Sequence, residues 1–256
     1  MIPATDDARP RQLRGRAAAE LAAGLAPLLA AAGATAWWFH LPVTYLLRAV
    51  GLYALTGLLI LRHRPAPGLG AANRVTLART TLVLSVAALV AQPQILRDAG
   101  YWWIIVVSIL AMSLDGVDGW TARRTGSATA FGARFDMELD AFLILVLAAL
   151  VWRSGRVGPW VLLLGLPRYL FVAAGWWRPW LRTPLPERLR RKAGCVLQGI
   201  ALLVCLGPIV PSSLAPPIAA GTLLLLLSSF AVDIWWLRAQ ATRAAATRQA
   251  WQDPAD

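Results

Sequence analysis

The sequence predicts an all-α protein, a polytopic bundle of helices that cross a membrane. Of its 256 residues, 58% are hydrophobic and only 15% are charged. The mean hydropathy of +0.57 is too high for a soluble domain of this length. Apolar stretches long enough to span a bilayer recur about eight times, separated by short connections rich in Pro, Gly and Arg.

The predicted spans account for most of the chain. The first follows an arginine-rich arm and is interpreted as a retained helix, with a cleavable signal peptide as the alternative. Residues 66–74 predict a linker at the membrane interface, and residues 239–256 predict a frayed helix or a disordered tail. The spans themselves cover residues 18–38, 41–61, 75–92, 101–122, 135–152, 157–177, 193–210 and 215–237.

Arginine placement predicts the orientation of this bundle. If the N-terminus lies inside, the outside connections carry only Arg97, Arg153 and Arg156, and the other arginines of the connections fall inside. Tryptophans near the predicted helix ends fit the aromatic belts of a bilayer. We therefore expect a multi-pass protein of the inner (plasma) membrane, with both termini in the cytoplasm.

The formal charge of +12 comes almost wholly from arginine. On a membrane protein, such charge favours contact with the anionic lipids of the bilayer. Nucleic acid is excluded as a partner because the sequence contains no soluble basic module that could bind it.

Four aspartates lie where the fourth predicted span ends and the fifth begins. Asp115 and Asp118 are three residues apart, and Asp136 and Asp140 are four apart, so each pair shares one face of its helix. A short loop makes these helices antiparallel neighbours, which allows the two faces to meet. Carboxylates in an apolar setting are costly unless a cation lies among them. The pattern therefore predicts a cation site at the membrane surface.

The residue types around these aspartates indicate which cation and which ligand. Oxygen ligands without nearby His or Cys select Mg²⁺ or Mn²⁺. Four aspartates can hold two ions, the usual arrangement for displacement at phosphorus. Gly119 and Ala122 leave room for a ligand, and Arg123 can bind a phosphate. The residues alone thus favour a phosphate-bearing substrate.

The spacing D-x-x-D-G-x-x-A-R-x8-G-x3-D-x3-D resembles the signature of the CDP-alcohol phosphatidyltransferase family, and every fixed position is met. The resemblance implies a six-helix catalytic core at residues 66–238. It leaves a basic arm and about two extra helices at residues 1–65, and a polar tail at residues 239–256.

Members of that family transfer a substituted phosphate from a CDP-alcohol to a second alcohol and release CMP. For this chain the resemblance implies that Asp115, Asp118 and Asp136 bind metal. It implies that Asp140 lies beside the metal ions and acts as the general base. The other signature positions would line the CDP-alcohol pocket: Gly119, Ala122, Arg123 and Gly132.

Two weaker elements also resemble the family. Asn73, Thr76 and Arg79 match an N-x-x-T-x-x-R element that opens the core, which implies that they bind the CDP-alcohol. The alternative is the start of an interfacial helix capped by Thr76. Of a G-K-x-K-T-x-x-Q element found in the branch that transfers to glycerol phosphate, only Lys192 and Gln198 remain. That departure speaks against assignment to this branch.

Two basic residues are candidates for acceptor binding. Arg168 lies within the sixth span, and Lys192 ends a basic connection between the sixth and seventh spans. Charges inside membrane helices usually face the bundle interior or a wet cavity. Arg168 could instead extend to the interface or pair with Asp233, and the basic connection could serve only to set topology.

The function predicted from the sequence is transfer of a phosphatidyl group from CDP-diacylglycerol, or a related CDP-alcohol, to an acceptor alcohol in phospholipid synthesis. Two Mg²⁺ or Mn²⁺ ions and the lipid bilayer are expected partners, and the resemblance adds a homodimer as an expectation. One alternative is a divalent cation transporter that uses its intramembrane carboxylates. The other is a non-catalytic member of the same fold.

Overall fold

The computed structural model describes residues 8–62, 71–125, 130–178, 180 and 189–252. Within these ranges, the side chains of residues 8–18, 71–75, 117–123 and 189–192, most of those after 240, and a few others lie outside the description. Every regular element of the described residues is helical, which confirms the predicted all-α class.

Eight α-helices and two short 3₁₀ segments form the described chain. The 3₁₀ segments are Pro93–Ile95, between the third and fourth helices, and Pro159–Leu164, between the fifth and sixth. The α-helices are α1 Ala8–Trp38, α2 Val43–Arg62, α3 Ala71–Leu89, α4 Asp98–Thr125, α5 Ala130–Arg153, α6 Leu166–Trp177, α7 Leu189–Leu206 and α8 Ala215–Gln252.

Four of the described helices contain a segment long and apolar enough to cross a bilayer. These segments are Ala19–Trp38, Val43–Arg62, Asp98–Gly116 and Ala215–Gln240. Two shorter apolar helices, Thr76–Leu89 and Ala193–Leu206, lie within α3 and α7. The protein is therefore a multi-pass membrane protein.

The sixth predicted span differs from the prediction of one helix at 157–177. The chain instead forms the 3₁₀ segment Pro159–Leu164, and α6 begins at Leu166, with Gly165 between the two helical segments. Proline has no amide hydrogen and clashes with a preceding helical turn, so Pro159 and Pro167 are both placed at the start of a helical segment. The two prolines therefore divide the span.

The structure also bears on the predicted linker and on the predicted tail. The predicted linker overlaps α3, which begins at Ala71, and its residues 66–70 lie outside the described part of the chain. For the predicted tail, the structure has the helical one of the two alternatives, since α8 continues without interruption to Gln252. Alanine, arginine and glutamine dominate this end and are good helix formers.

The chain packs as two compact units, Met1–Val146 and Leu147–Asp256, divided within α5. In the first unit, α1 and α2 form a hairpin that packs on α3. Buried residues from all three helices form the cluster between them: Leu21, Leu28, Tyr53, Ile60, Leu77 and Leu84. The first turns of α5 contribute half-buried phenylalanines to the same cluster. The predicted division into an arm, a core and a tail remains a prediction.

Hydrogen bonds join the two helices of the N-terminal hairpin to each other, through Tyr53, and join the hairpin to α3 and α4, through Tyr45 and Trp103. The Tyr53 hydroxyl donates to the Leu21 carbonyl at 2.7 Å, and the Tyr45 hydroxyl donates to the Ser85 carbonyl at 3.2 Å. The indole of Trp103 in α4 donates to the Thr35 hydroxyl at 3.1 Å. The hairpin is thus tied to α3 and α4 by both apolar contact and polar contact.

At Gly24, α1 lies close to its neighbours, since a Cβ there would lie 2.6 Å from Leu77 Cδ2 and would also clash with the Tyr53 hydroxyl. We expect Gly24→Leu to lower the free energy of unfolding by about 1 to 3 kcal/mol, the usual range for overpacking. This change is measured by thermal unfolding of the purified protein in detergent. Gly33→Leu is the matched control, because the same helix has open space at that position. Equal stability of the two variants would contradict the packing described here.

In the second unit, α7 and α8 pack on one another, and Arg156 closes the end of α7. Its guanidinium donates to the carbonyls of Cys205 at 3.3 Å, Gly207 at 2.8 Å and Val210 at 3.0 Å. The Cys205 carbonyl belongs to the last turn of α7, where carbonyls have no partner further along the helix, and Gly207 and Val210 belong to the segment that follows. Arg156 therefore joins the end of α7 to that segment.

We expect Arg156→Ala to destabilise this unit by about 1 to 3 kcal/mol, the usual penalty for leaving a buried acceptor unsatisfied. The measurement is the midpoint of thermal unfolding of the purified protein. Arg153→Ala removes the same charge from an exposed position at the end of α5 and should change the midpoint little. If both variants unfolded together with wild type, Arg156 would not be a helix cap.

Candidate functional site

Three of the four predicted aspartates come together in the first unit. Asp115 lies on α4, and Asp136 and Asp140 lie one turn apart on α5. One carboxylate oxygen from each lies within 4.8 Å of the corresponding oxygens of the other two. We call these three residues the aspartate site. Asp118 belongs to the described backbone of α4, but its side chain lies outside the description.

The guanidinium of Arg79, from α3, occupies the middle of the aspartate site. Its Nη1 donates to Oδ1 of Asp115 at 2.9 Å and also pairs with Oδ1 of Asp136. Its Nη2 pairs with Oδ1 of Asp140. One cation thus binds three carboxylates, each through a single oxygen.

Burial differs sharply between the cation and its partners. The Arg79 side chain is 0% exposed, whereas those of Asp115, Asp136 and Asp140 are 17%, 36% and 32% exposed. Arg79 is therefore the enclosed centre of the site, and each carboxylate keeps a partly exposed side. An ion or a ligand can reach them from that side.

The sequence of α3 explains why Arg79 needs partners from other helices. The hydroxyls of Thr80 and Ser85 donate to carbonyls one turn earlier in α3, both at 2.7 Å. Hydroxyls in apolar helices commonly satisfy themselves in this way. The Arg79 guanidinium pairs instead with carboxylates of other helices, because a buried cation must be paired. Asp115, Asp136 and Asp140 supply the pairing.

The other predicted positions fall on the same helices, with less described detail. Thr76 is buried one turn before Arg79 on α3, and Gly132 is half-buried near the start of α5. Four further positions belong to helices of the same unit, but their environments lie outside the described side chains: Asn73 on α3, and Gly119, Ala122 and Arg123 on α4.

The two predicted acceptor residues belong to the second unit. Arg168 is half-buried near the start of α6, and Lys192 lies in the first turn of α7 with its side chain outside the description. In the same unit, Asp233 of α8 is 5% exposed and Gln198 of α7 is also 5% exposed. The binding of an acceptor by Arg168 and Lys192 remains a prediction.

The aspartate site has the chemistry that a divalent cation requires. Its donors are carboxylate oxygens from three side chains, close enough to share one ion, and they already share one positive group. Mg²⁺ and Mn²⁺ prefer such oxygen ligands and complete their shells with water or phosphate. The described residues therefore fit a metal of this class.

Sequence reasoning missed one feature of this site. It placed Arg79 in the substrate pocket and did not pair it with the aspartates. A signal was present, because Arg79 is the only charged residue in the predicted span 75–92. A buried charge in such a span needs an opposite charge nearby, and the four aspartates are the obvious source.

Comparison with known proteins gives an independent result. The profile of the CDP-alcohol phosphatidyltransferase family matches residues 69–237, which is well over half of the chain. A curated relative, Ethanolaminephosphotransferase 1 of Mus musculus, is 38% identical over 85 residues. That match covers 29% of this chain and only 21% of the relative. No solved structure matches the chain.

Proposed function

Because the chain belongs to the CDP-alcohol phosphatidyltransferase family, we propose that it transfers a phosphatidyl group from CDP-diacylglycerol to an acceptor alcohol and releases CMP. The family makes it a membrane-bound CDP-alcohol phosphotransferase of phospholipid synthesis.

The observation that carries the proposal is the meeting of Asp115, Asp136 and Asp140 at one point. These residues are three of the eight fixed positions of the family signature, and they come from two different helices. A signature that served only helix packing would not need three carboxylates within hydrogen-bonding reach of one guanidinium.

In this proposal, Asp115, Asp118 and Asp136 hold two Mg²⁺ or Mn²⁺ ions, and Asp140 also contacts them. When bound, such ions offset the negative charge of the pyrophosphate and make CMP a better leaving group. Gly119, Ala122, Arg123 and Gly132, with Asn73, Thr76 and Arg79, form the pocket of the CDP-alcohol.

Asp140 acts as the general base. It lies one turn after Asp136 on the same face of α5, and its carboxylate is partly exposed. Its carboxylate accepts the proton of the acceptor hydroxyl as the oxygen attacks the β-phosphorus of the CDP-alcohol. A new P–O bond forms, the bond to the CMP oxygen breaks, and CMP leaves with that electron pair.

The acceptor and the donor require separate evidence. Arg168 and Lys192 are proposed to bind an anionic acceptor such as glycerol phosphate, inositol phosphate or a carboxylate-bearing alcohol. The name of the mouse relative assigns ethanolamine phosphate transfer to that protein. A water-soluble CDP-alcohol is therefore the second donor to consider, with a lipid alcohol as acceptor. The site is proposed to face the cytoplasm.

An acceptor screen tests the proposal. Purified full-length protein in proteoliposomes is incubated with Mg²⁺ and CDP-diacylglycerol, and CMP release is followed with glycerol phosphate, inositol phosphate, serine and phosphatidylglycerol. A second series uses CDP-ethanolamine with diacylglycerol. CMP release that depends on one acceptor supports the enzyme and identifies the pair.

The screen also separates the two alternatives. A cation transporter would move Mn²⁺ into the vesicles and release no CMP with any pair. A non-catalytic member of the fold would bind the CDP-alcohol without turnover. Either outcome, with folded protein and both donor series complete, would contradict the proposed transfer.

A further inference from the structure

The contacts of Arg79 carry an inference about how metal enters the aspartate site, and it rests on the metal-binding role proposed above. We propose that Arg79 is an exchangeable counter-cation. Its guanidinium holds Asp115, Asp136 and Asp140 together while no metal is bound, and an entering divalent ion takes carboxylate oxygens from it.

The charges of the aspartate site do not balance. One guanidinium pairs with three carboxylates, so the described part of the site keeps a clear excess of negative charge. A buried ion pair that served only structure would be expected to balance its charges, because uncompensated charge in an apolar setting is costly. The excess leaves the site attractive to a further cation.

The hydrogen bonds of Arg79 are divided among three carboxylates. A guanidinium binds a carboxylate best through two parallel hydrogen bonds. Here Nη1 is divided between Asp115 and Asp136, and Nη2 is directed to Asp140. The Nε atom is buried and makes no hydrogen bond within the described part of the chain. Arg79 therefore contacts all three carboxylates but forms with none of them the two parallel hydrogen bonds that hold a guanidinium most firmly.

The three carboxylates are more exposed than the arginine that they bind. Arg79 is fully enclosed, and each of its three partners is partly exposed. An ion can therefore approach the carboxylates from their open side without passing the arginine. Once there, it shares their oxygens with another cation, and the two positive charges repel one another at short range. The contacts of Nη1 to Asp115 and Asp136 must weaken as the ion binds.

Competition of this kind predicts the direction in which a substitution of Arg79 changes the affinity of the site for the ion. If Arg79 and the ion compete for the same oxygens, removal of the arginine raises the affinity for the ion and lowers the stability of the metal-free protein. Binding then restores more stability in the variant than in wild type, because ligand binding adds to the stability of the folded state.

The test compares wild type with Arg79→Gln, as full-length protein in detergent, using Mn²⁺ as the probe. Binding is measured from the loss of the free Mn²⁺ signal in electron paramagnetic resonance, without any substrate. We expect the Kd for Mn²⁺ to fall about tenfold in the variant, the size of change that loss of a charge-assisted contact produces. Thermal unfolding with EDTA and with Mn²⁺ gives a second readout, in which the variant should gain more from Mn²⁺.

Arg134→Gln is the matched control. Arg134 is an exposed arginine of α5, two residues before Asp136, so the variant removes the same charge close by without touching the three ion pairs. We expect its Kd for Mn²⁺ to stay within about twofold of wild type, because exposed charges are screened by solvent.

The outcomes are distinct. A Kd for Arg79→Gln that equals or exceeds that of wild type overturns the exchange. If wild type and Asp136→Asn bound Mn²⁺ with the same Kd, the assignment of metal binding to the aspartate site would be contradicted, and the inference would fail with it. If Arg79→Gln does not fold, Arg79→Lys decides, because one ammonium cannot span three carboxylates. An unchanged Kd in that variant also overturns the exchange, and a lower one supports it.

Discussion

Replacing Asp136 by Asn is expected to reduce CMP release by about 10²- to 10³-fold or more, the scale seen when one group that stabilises charge in a transition state is lost. Asp136 is the most exposed of the aspartate site, and its oxygen lies beside those of Asp115 and Asp140. The amide is nearly the same size but carries no charge, so it binds a divalent ion poorly. Arg79 keeps two carboxylate partners, and we therefore expect the variant to fold.

The measurement is CMP release with the donor and acceptor identified by the screen, alongside thermal unfolding. Asp98→Asn is the matched control, because it makes the same chemical change at an exposed position at the opposite end of α4 from Asp115. It should leave both quantities near wild type. Turnover at the wild-type rate by Asp136→Asn would defeat the assignment of metal binding to this residue.

Replacing Asp140 by Asn is expected to slow the reaction by about 10²- to 10⁴-fold, the usual contribution of a general base. The amide cannot take the proton of the acceptor hydroxyl. Asp115 and Asp136 remain in place, so binding of the CDP-alcohol should persist. A kcat that falls while the dissociation constant for the donor changes little is the expected result.

Equilibrium binding of a labelled CDP-alcohol separates this role from a purely ligating one. Glu138→Gln controls for loss of a carboxylate on the same helix, since Glu138 lies two residues from Asp136 and Asp140 and so on another face of α5. Its turnover should stay near that of wild type. If Asp140→Asn lost donor binding as completely as it lost turnover, Asp140 would be a ligand and not the base.

The aspartate site could be predicted from the sequence largely because its geometry is local. The i, i+4 spacing places Asp136 and Asp140 on one face of α5, and a short loop brings that face to Asp115. The place of Arg79 could not be predicted in the same way. It depends on how α3 packs against α4 and α5, and helical periodicity within α3 contains no information about that packing.

The fold shows the same division between local and long-range information. The apolar stretches predicted the all-α class and the approximate bounds of most helices, because the need to satisfy backbone hydrogen bonds in lipid leaves few alternatives. The prolines of the sixth span indicate a break in the helix, but the apolar pattern alone does not show that the chain divides at Gly165. The contact of Gly24 with Leu77 and Tyr53 depends on tertiary packing, and no sequence pattern predicts it.

The packing of the N-terminal hairpin on α3 has a consequence for the order of assembly. Helices leave the ribosome in chain order, and N-terminal segments generally fold first. Within the first unit, α1 contacts α2, both contact α3, and α3 contacts α4, so each new helix meets partners that are already made. We therefore expect α3, which carries Arg79, to meet the N-terminal hairpin before α4 and α5 bring Asp115, Asp136 and Asp140 to it. The first unit, which carries the aspartate site, ends at Val146 and so precedes α6, α7 and α8 in the order of synthesis.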